Sequence, residues 1–206
     1  MKPRNIKPVE NNKEKQQTYA KQLGKYKLAV RNEFYFEAMM IVYAMLEDRL
    51  LSFLYYTGAR DDRNTIKVSR TTSAYIKAIM AEGKKDKDKI IFKMGTITGK
   101  MKIINAMLLW AEKCEHVNEE YPLLLKSLLE SIDIGGMKDT MKALGSWLDY
   151  RNEIIHASMN KNIENMYEQL GEKVIEGMEY ARFIDEQVRV MKKDNRVRKK
   201  MKMGNC

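Results

Sequence analysis

The chain has 206 residues, of which 44% are hydrophobic and 32% are charged, and its formal net charge is +10. This length and composition fit one domain with a sizeable core, and the basic excess suits a polyanionic partner, although surplus surface lysines explain it equally well. The two cysteines, Cys114 and Cys206, form no CxxC pair, which argues against a disulfide framework and for a reducing cytosol.

The first residues are polar and lack the apolar core of a signal peptide, so we expect a cytoplasmic protein. The longest apolar run, Ala38 to Leu46, has nine residues, too few to cross a bilayer. We therefore expect no membrane association. Prolines stand only at positions 3, 8 and 122, strand-forming patterns are scarce, and good helix formers dominate. The sequence predicts an all-α helical bundle.

In chain order, a polar leader covers residues 1–12 and a single helical domain covers 13–191. The first helical stretch runs over 13–57 with a break near Gly24 and ends at Gly58. Its second half, "FEAMMIVYAMLEDRLLSFLYY", is apolar on nearly all sides, which is typical of a helix at the centre of a bundle. Charged loops near 59–70 and 82–89 flank a short helix over 72–81.

Four helices are predicted in the second half of the chain. In "MKIINAMLLWAEKC" five apolar residues share one helix face: Ile103, Ile104, Met107, Leu108 and Ala111. The helix of "YPLLLKSLLESI" has Pro122 in its first turn. Gly135 and Gly136 then break the chain, and a helix from Met137 follows. The last helix runs over 162–191, and a basic tail over 192–206.

Two familiar kinds of site are not supported. "GTITGKM", at 95–101, has three residues between its glycines and Met101 after the lysine, whereas a phosphate-binding P-loop needs four and a Ser or Thr. The two histidines, His116 and His156, stand forty positions apart, and a Cys114–His116 pair points to different sides of a helix. We expect no metal and no cofactor.

The strongest candidate site is "RNEIIHA", at 151–157. An earlier Arg-Asn-Glu, at 31–33, has no histidine after it. The later segment resembles the RNxxxH form of the Rx4–6H motif of the HEPN superfamily, and the preceding "AMMIVYAMLEDRLLSFLYY", which contains Glu47 and Asp48, is similar to the acidic second-helix segment of such domains. Distant similarity extends to the HEPN domains of CRISPR RNA-targeting effectors.

The resemblance implies a dimeric all-α bundle and a metal-independent endoribonuclease of the toxin or abortive-infection type. Histidine titrates near neutral pH and arginine has a planar fork that matches phosphate oxygens, so Arg151 and His156 are the candidate catalytic pair. On a continuous helix, however, the two lie roughly 140° apart. Either the helix bends or ends within the motif, or two subunits combine their residues at an interface.

Supporting roles are expected for two further residues. Asn152 either orients His156 or contacts phosphate, and the resemblance implies that Glu47 pairs with Arg151. In the basic tail, the candidate RNA-binding residues are Arg196, Arg198, Lys199 and Lys200. An antitoxin or an inhibitory RNA is a possible partner. Two other interpretations remain open: a non-catalytic RNA-binding protein with this fold, and a helical dimerisation or antitoxin partner with Arg151 and His156 in a structural role.

Overall fold

The computed structural model describes residues 12–60, 77–81, 95–114, 119–157 and 164–203. These residues contain helices and no strand, so the all-α prediction is confirmed. The helices are α1 (Asn12–Arg31), α2 (Tyr35–Tyr56), α3 (Ile97–Lys113), α4 (Glu120–Glu130), α5 (Ile134–Ala157), α6 (Glu164–Lys193) and α7 (Arg196–Met203), and 77–81 is also helical. Residues 1–11, 61–76, 82–94, 115–118, 158–163 and 204–206 lie outside the described part, and they include most of the predicted leader, most of both predicted charged loops and His116.

The hairpin of α1 and α2 turns at residues 32–34, so the predicted break near Gly24 is wrong. Gly24 lies inside α1, while Glu33 has a left-handed φ of 60°. Its amide donates to Val30 O, and the amide of Phe34 donates to Ala29 O, the pair of hydrogen bonds that closes a Schellman motif. The earlier Arg-Asn-Glu copy is therefore a helix-ending turn with Glu where glycine is usual.

Helix α2 is the centre of the bundle, as its apolar sequence predicts. It packs against α1, α3 and α6, and its inward residues are fully buried: Ala38, Val42, Leu46, Leu50, Phe53 and Leu54. The helix ends at Tyr56, followed by Gly58 with a φ of 77°, which confirms the predicted stop. Ala59, placed in an exposed loop by the sequence, is buried.

The predicted inward face of α3 is confirmed, since all five of its residues are buried. Pro122 lies in the first turn of α4, as expected. The expectation that Gly135 and Gly136 break the chain is wrong, because both lie in the first turn of α5. The Asp133 carboxylate caps this helix by accepting from the Gly136 amide at 2.8 Å, so the break falls before the glycines.

Helices α5 and α6 lie antiparallel. Asp133 N donates to Gln187 Oε1 at one end, and Trp147 Nε1 donates to Lys173 O further along. Helices α2 and α6 run in the same direction, since the ring of Tyr35 lies against Gly171 and Arg49 pairs with Asp185. The carboxyl end of α5 therefore lies at the end of the bundle where α2 and α6 begin and α1 ends.

Candidate functional site

The motif "RNEIIHA" forms the last two turns of α5, which remains helical to Ala157. The helix neither bends out of helical geometry nor ends before His156. Of the two arrangements left open by the sequence, a bend that brings Arg151 and His156 together within one chain is not found. Instead, the two residues point to different sides of α5, as helical geometry requires for a separation of five residues.

Arg151 is directed toward α2. Its guanidinium carbon lies 4.2 Å from the centre of the Tyr43 ring, a cation–π contact, and Nη2 lies 3.5 Å from the Met40 sulfur. Nη1 donates to Asn152 Oδ1 at 3.1 Å, whereas Nε is buried without a hydrogen-bond partner. Helix α2 thus holds the arginine by an aromatic face, and no carboxylate among the described residues forms an ion pair with it.

His156 is exposed in the last turn of α5, and Asn152, one turn earlier, is exposed as well. Within the described ranges, no hydrogen bond or ion pair to the imidazole is found. Asn152 accepts a hydrogen bond from Arg151 and does not contact His156. The prediction that Asn152 orients the histidine is therefore wrong. The imidazole is open to solvent and therefore accessible to a ligand or to another chain.

Glu47 does not pair with Arg151. Its Oε1 lies 2.7 Å from Nζ of Lys100, whose side chain is only 1% exposed. The reason is that α3 packs against α2 near Glu47. The buried side chain of Lys100 therefore reaches Glu47, which lies one turn after Tyr43 on α2. Lys100 belongs to the "GTITGKM" segment, where Thr96 caps α3 by accepting from the Gly99 amide. In this fold the segment begins a helix, and its lysine forms an ion pair.

The basic tail is largely built into the fold. Helix α6 extends to Lys193, and α7 packs against α4. Arg198 is buried, stacks 3.7 Å from the centre of the Tyr55 ring and donates to Arg60 O at 2.8 Å and Tyr55 O at 3.3 Å. These contacts leave the guanidinium inaccessible to a phosphate. Arg198 is therefore a structural residue, and its predicted contact with RNA is wrong.

The other three tail residues differ in their availability. Arg196 is exposed but pairs with Asp194 at 2.6 Å and donates to the Ser127 hydroxyl. This hydrogen-bonded ion pair lowers the pKa of the Asp194 carboxyl and raises that of Arg196. Lys200 pairs with Glu120, and Lys199 is exposed. Lys199 is thus the tail residue of the four that is most accessible to a polyanion.

Sequence reasoning missed Tyr43, the residue that holds Arg151. Tyr43 stands three residues after Met40 and four before Glu47, so the three share a face of α2. The sequence shows this spacing, but it does not show which helix packs against the face.

A second charged cluster, remote from the motif, was also missed. Arg49 pairs with Asp48 and Asp185 and stacks 4.3 Å from the centre of the Tyr19 ring. Burial raises the pKa of the Tyr19 phenol, an effect that Arg49 opposes and the two carboxylates reinforce. The cluster joins α1, α2 and α6. It contains no histidine or cysteine.

No group of three or more His, Cys, Asp or Glu side chains in the described part of the chain is arranged to hold a metal ion. No helix in the same ranges is long and apolar enough to cross a membrane. Comparisons with protein-family models, curated proteins and solved structures found no match to this chain.

Proposed function

We propose that the protein is a metal-independent endoribonuclease of the HEPN type, with Arg151 and His156 as its catalytic pair. The observation that carries this proposal is that Tyr43 and Met40 hold Arg151 while His156, on another side of the same helix, is exposed. An arginine held by an aromatic ring keeps its full charge for a phosphate, and an exposed imidazole is accessible to a bound RNA.

The proposed chemistry uses the 2′-OH of the RNA as the nucleophile. His156 transfers a proton to or from the reacting oxygens, and Arg151 stabilises the charge that develops on the phosphorane. Asn152, which accepts from Arg151, holds the plane of the guanidinium. The products are a 2′,3′-cyclic phosphate and a free 5′-hydroxyl.

The proposed catalytic pair requires a homodimer, because the helix that carries it is continuous. Because Arg151 and His156 lie roughly 140° apart on α5, one chain does not bring both to the same phosphate. A two-fold axis near the end of α5 places Arg151 of one subunit beside His156 of its partner, and generates two equivalent sites. The biological role that we propose is that of a cytoplasmic toxin or antiphage effector, controlled by an antitoxin or an inhibitory RNA; it rests on the sequence resemblance.

The first test is cleavage of single-stranded RNA by the purified protein in the presence of a chelator. We expect products with 2′,3′-cyclic phosphate ends, and a rate reduced by roughly 10²- to 10⁴-fold in His156→Ala. His116→Ala is the matched control, because it removes the other histidine of the chain, forty positions away from the motif. Loss of cleavage on chelation, or full activity of His156→Ala, contradicts the proposal.

The second test mixes two inactive variants, Arg151→Ala and His156→Ala. In a mixed dimer with sites across the interface, one site carries both substitutions and the other carries neither. Random mixing therefore restores about one quarter of the parent activity if subunits exchange freely. No recovery, in a preparation shown to contain mixed dimers, contradicts the shared site.

A non-catalytic RNA-binding protein is the second candidate, and one observation favours it. The buried Nε of Arg151 and its stacking on Tyr43 are also what a structural link between α2 and α5 requires. If the protein is non-catalytic, the parent protein cleaves no RNA. Arg151→Ala then only lowers the unfolding temperature. Thermal unfolding of the cleavage variants therefore accompanies both assays.

A further inference from the structure

The outward face of α1 carries a large excess of positive charge. Helix α1 contains six Lys or Arg residues and one Glu, a net charge of +5. Helix α6, which is longer, contains seven acidic and five basic residues, a net charge of −2. The basic excess of the protein is therefore concentrated on particular helices and is not spread over all of them.

The cations of α1 are exposed and almost all without an acidic partner. Lys15 pairs with Asp48 at 2.9 Å. The other five are exposed and form no ion pair with any described residue: Lys13, Lys21, Lys25, Lys27 and Arg31. Unpaired cations on one side of a helix create a local positive potential that paired surface charges do not.

The contrast with α7 is informative, because its sequence is just as basic. Three of its cations are engaged, Arg196 by Asp194, Lys200 by Glu120 and Arg198 by backbone carbonyls. Three of the five cations of α7 thus have partners within the fold, while five of the six cations of α1 form no ion pair with a described residue.

We propose that the outward face of α1 is the docking surface for the phosphate backbone of single-stranded RNA. The identity of the polyanion as RNA rests on the proposed function. From Lys13 to Arg31 the helix rises by about 27 Å, enough to follow several phosphates. Since α1 and α2 are antiparallel, α1 ends at the end of the bundle where Arg151 and His156 lie, and a strand bound along it leads toward them.

A lipid surface fits this face less well. An interfacial helix turns its apolar side to the membrane, but the apolar side of α1, including Tyr26 and Ala29, is buried against the bundle. Leu28 is the large apolar residue that α1 exposes. The accessible face therefore offers charge without an apolar area to insert.

The test measures binding of a fluorescent oligouridylate by anisotropy over a range of salt concentrations, in a His156→Ala background that prevents turnover. One variant carries Lys21→Gln, Lys25→Gln and Lys27→Gln. The charge-matched control carries Lys192→Gln, Lys193→Gln and Lys199→Gln, three exposed residues around the start of α7. Because each phosphate contact contributes about 0.7 to the slope of log K against log salt, the α1 variant is expected to flatten the slope by about 2.

The outcomes separate this inference from its alternatives. A flattened slope in the α1 variant, with a smaller change in the control, supports it. An equal loss in both variants means that affinity follows net charge alone and overturns it, as does a loss confined to the control. Displacement of the RNA from α1 by polyglutamate at equal charge also overturns it, in favour of an acidic protein partner.

The same data distinguish its failure from that of the proposed nuclease. If the parent protein cleaves RNA but the α1 variant binds with an unchanged slope, the docking surface is wrong and the nuclease stands. If no RNA is cleaved but the α1 variant loses affinity, the docking surface stands and the nuclease is wrong. Circular dichroism melting of both variants verifies that the exposed substitutions leave the fold intact.

Discussion

Two cations contact the same face of α2, and α2 holds them by different means. Arg151, from α5, stacks on Tyr43, while Lys100, from α3, forms an ion pair with Glu47 one turn further along. Lys100 is almost completely buried and Glu47 is about one-third exposed. The desolvation cost of this pair falls mainly on the lysine, so the two partners are not equivalent for stability.

This asymmetry predicts unequal effects of two substitutions. Glu47→Ala leaves a buried ammonium without its partner, and we expect it to lower the free energy of unfolding by about 1–3 kcal/mol. Lys100→Met removes the buried charge at similar volume and leaves a carboxylate that solvent reaches, so we expect a change within about 1 kcal/mol. Urea unfolding measures both. A larger loss in Lys100→Met than in Glu47→Ala would show that the pair itself contributes net stability.

At the scale of elements, the close contact between α5 and α6 depends on a glycine, Gly177, in α6. Trp147 of α5 is almost completely buried and donates from Nε1 to Lys173 O at 2.6 Å. A Cβ at Gly177 would lie 2.6–2.7 Å from three atoms of the indole ring. The two helices therefore approach as closely as they do because α6 has glycine there, and this approach helps to orient the carboxyl end of α5.

Alanine at Gly177 is therefore expected to destabilise the protein. Overpacking against the indole costs about 1–3 kcal/mol, more than the helix propensity of alanine returns. Gly24→Ala is the matched control, since Gly24 is exposed inside α1 and a Cβ there meets no atom within 4 Å. We expect this control to stabilise the protein by up to about 1 kcal/mol. Thermal unfolding of both variants measures the difference, and equal effects would contradict close packing at Gly177.

At the scale of the whole molecule, α7 connects the end of the chain to its first half. Val197 is almost completely buried, and Arg198 donates to carbonyl groups at the end of α2 and beyond it. Tyr121 of α4 donates to Thr57 O in the same region. Helices α4 and α7 together donate hydrogen bonds to backbone carbonyls at the end of α2 and just after it.

Removal of residues 196–206 is expected to destabilise the fold and not merely to remove charge. Exposure of the Val197 site and loss of the Arg198 hydrogen bonds together cost about 2–4 kcal/mol. Lys199→Gln, which removes one exposed charge of α7, is the control and should leave stability unchanged. Differential scanning calorimetry compares the two, and an unchanged unfolding temperature after the truncation would mean that α7 contributes nothing to stability.

The sequence alone determined the features that depend on neighbouring residues. The all-α class, the buried face of α3, the central place of α2 and the stop at Gly58 follow from periodicity, propensity and glycine, all properties of short segments. The break between α1 and α2 escaped prediction because Glu33 adopts a conformation that is usual for glycine. The helix cap at Asp133 was not predicted, because the two glycines after it were interpreted as a break in the chain. The nuclease, its dimer and its RNA remain predictions.

Only the tertiary structure decided which side chains meet at the candidate site. Glu47 and Lys100 are 53 residues apart, Arg151 and Met40 are 111 apart, and Arg198 and Arg60 are 138 apart. No local pattern specifies such pairs, because each depends on which helix packs across which face. The same reason explains why three cations of the basic tail, Arg196, Arg198 and Lys200, have partners within the fold, whereas five of the six cations of α1 stay open to solvent.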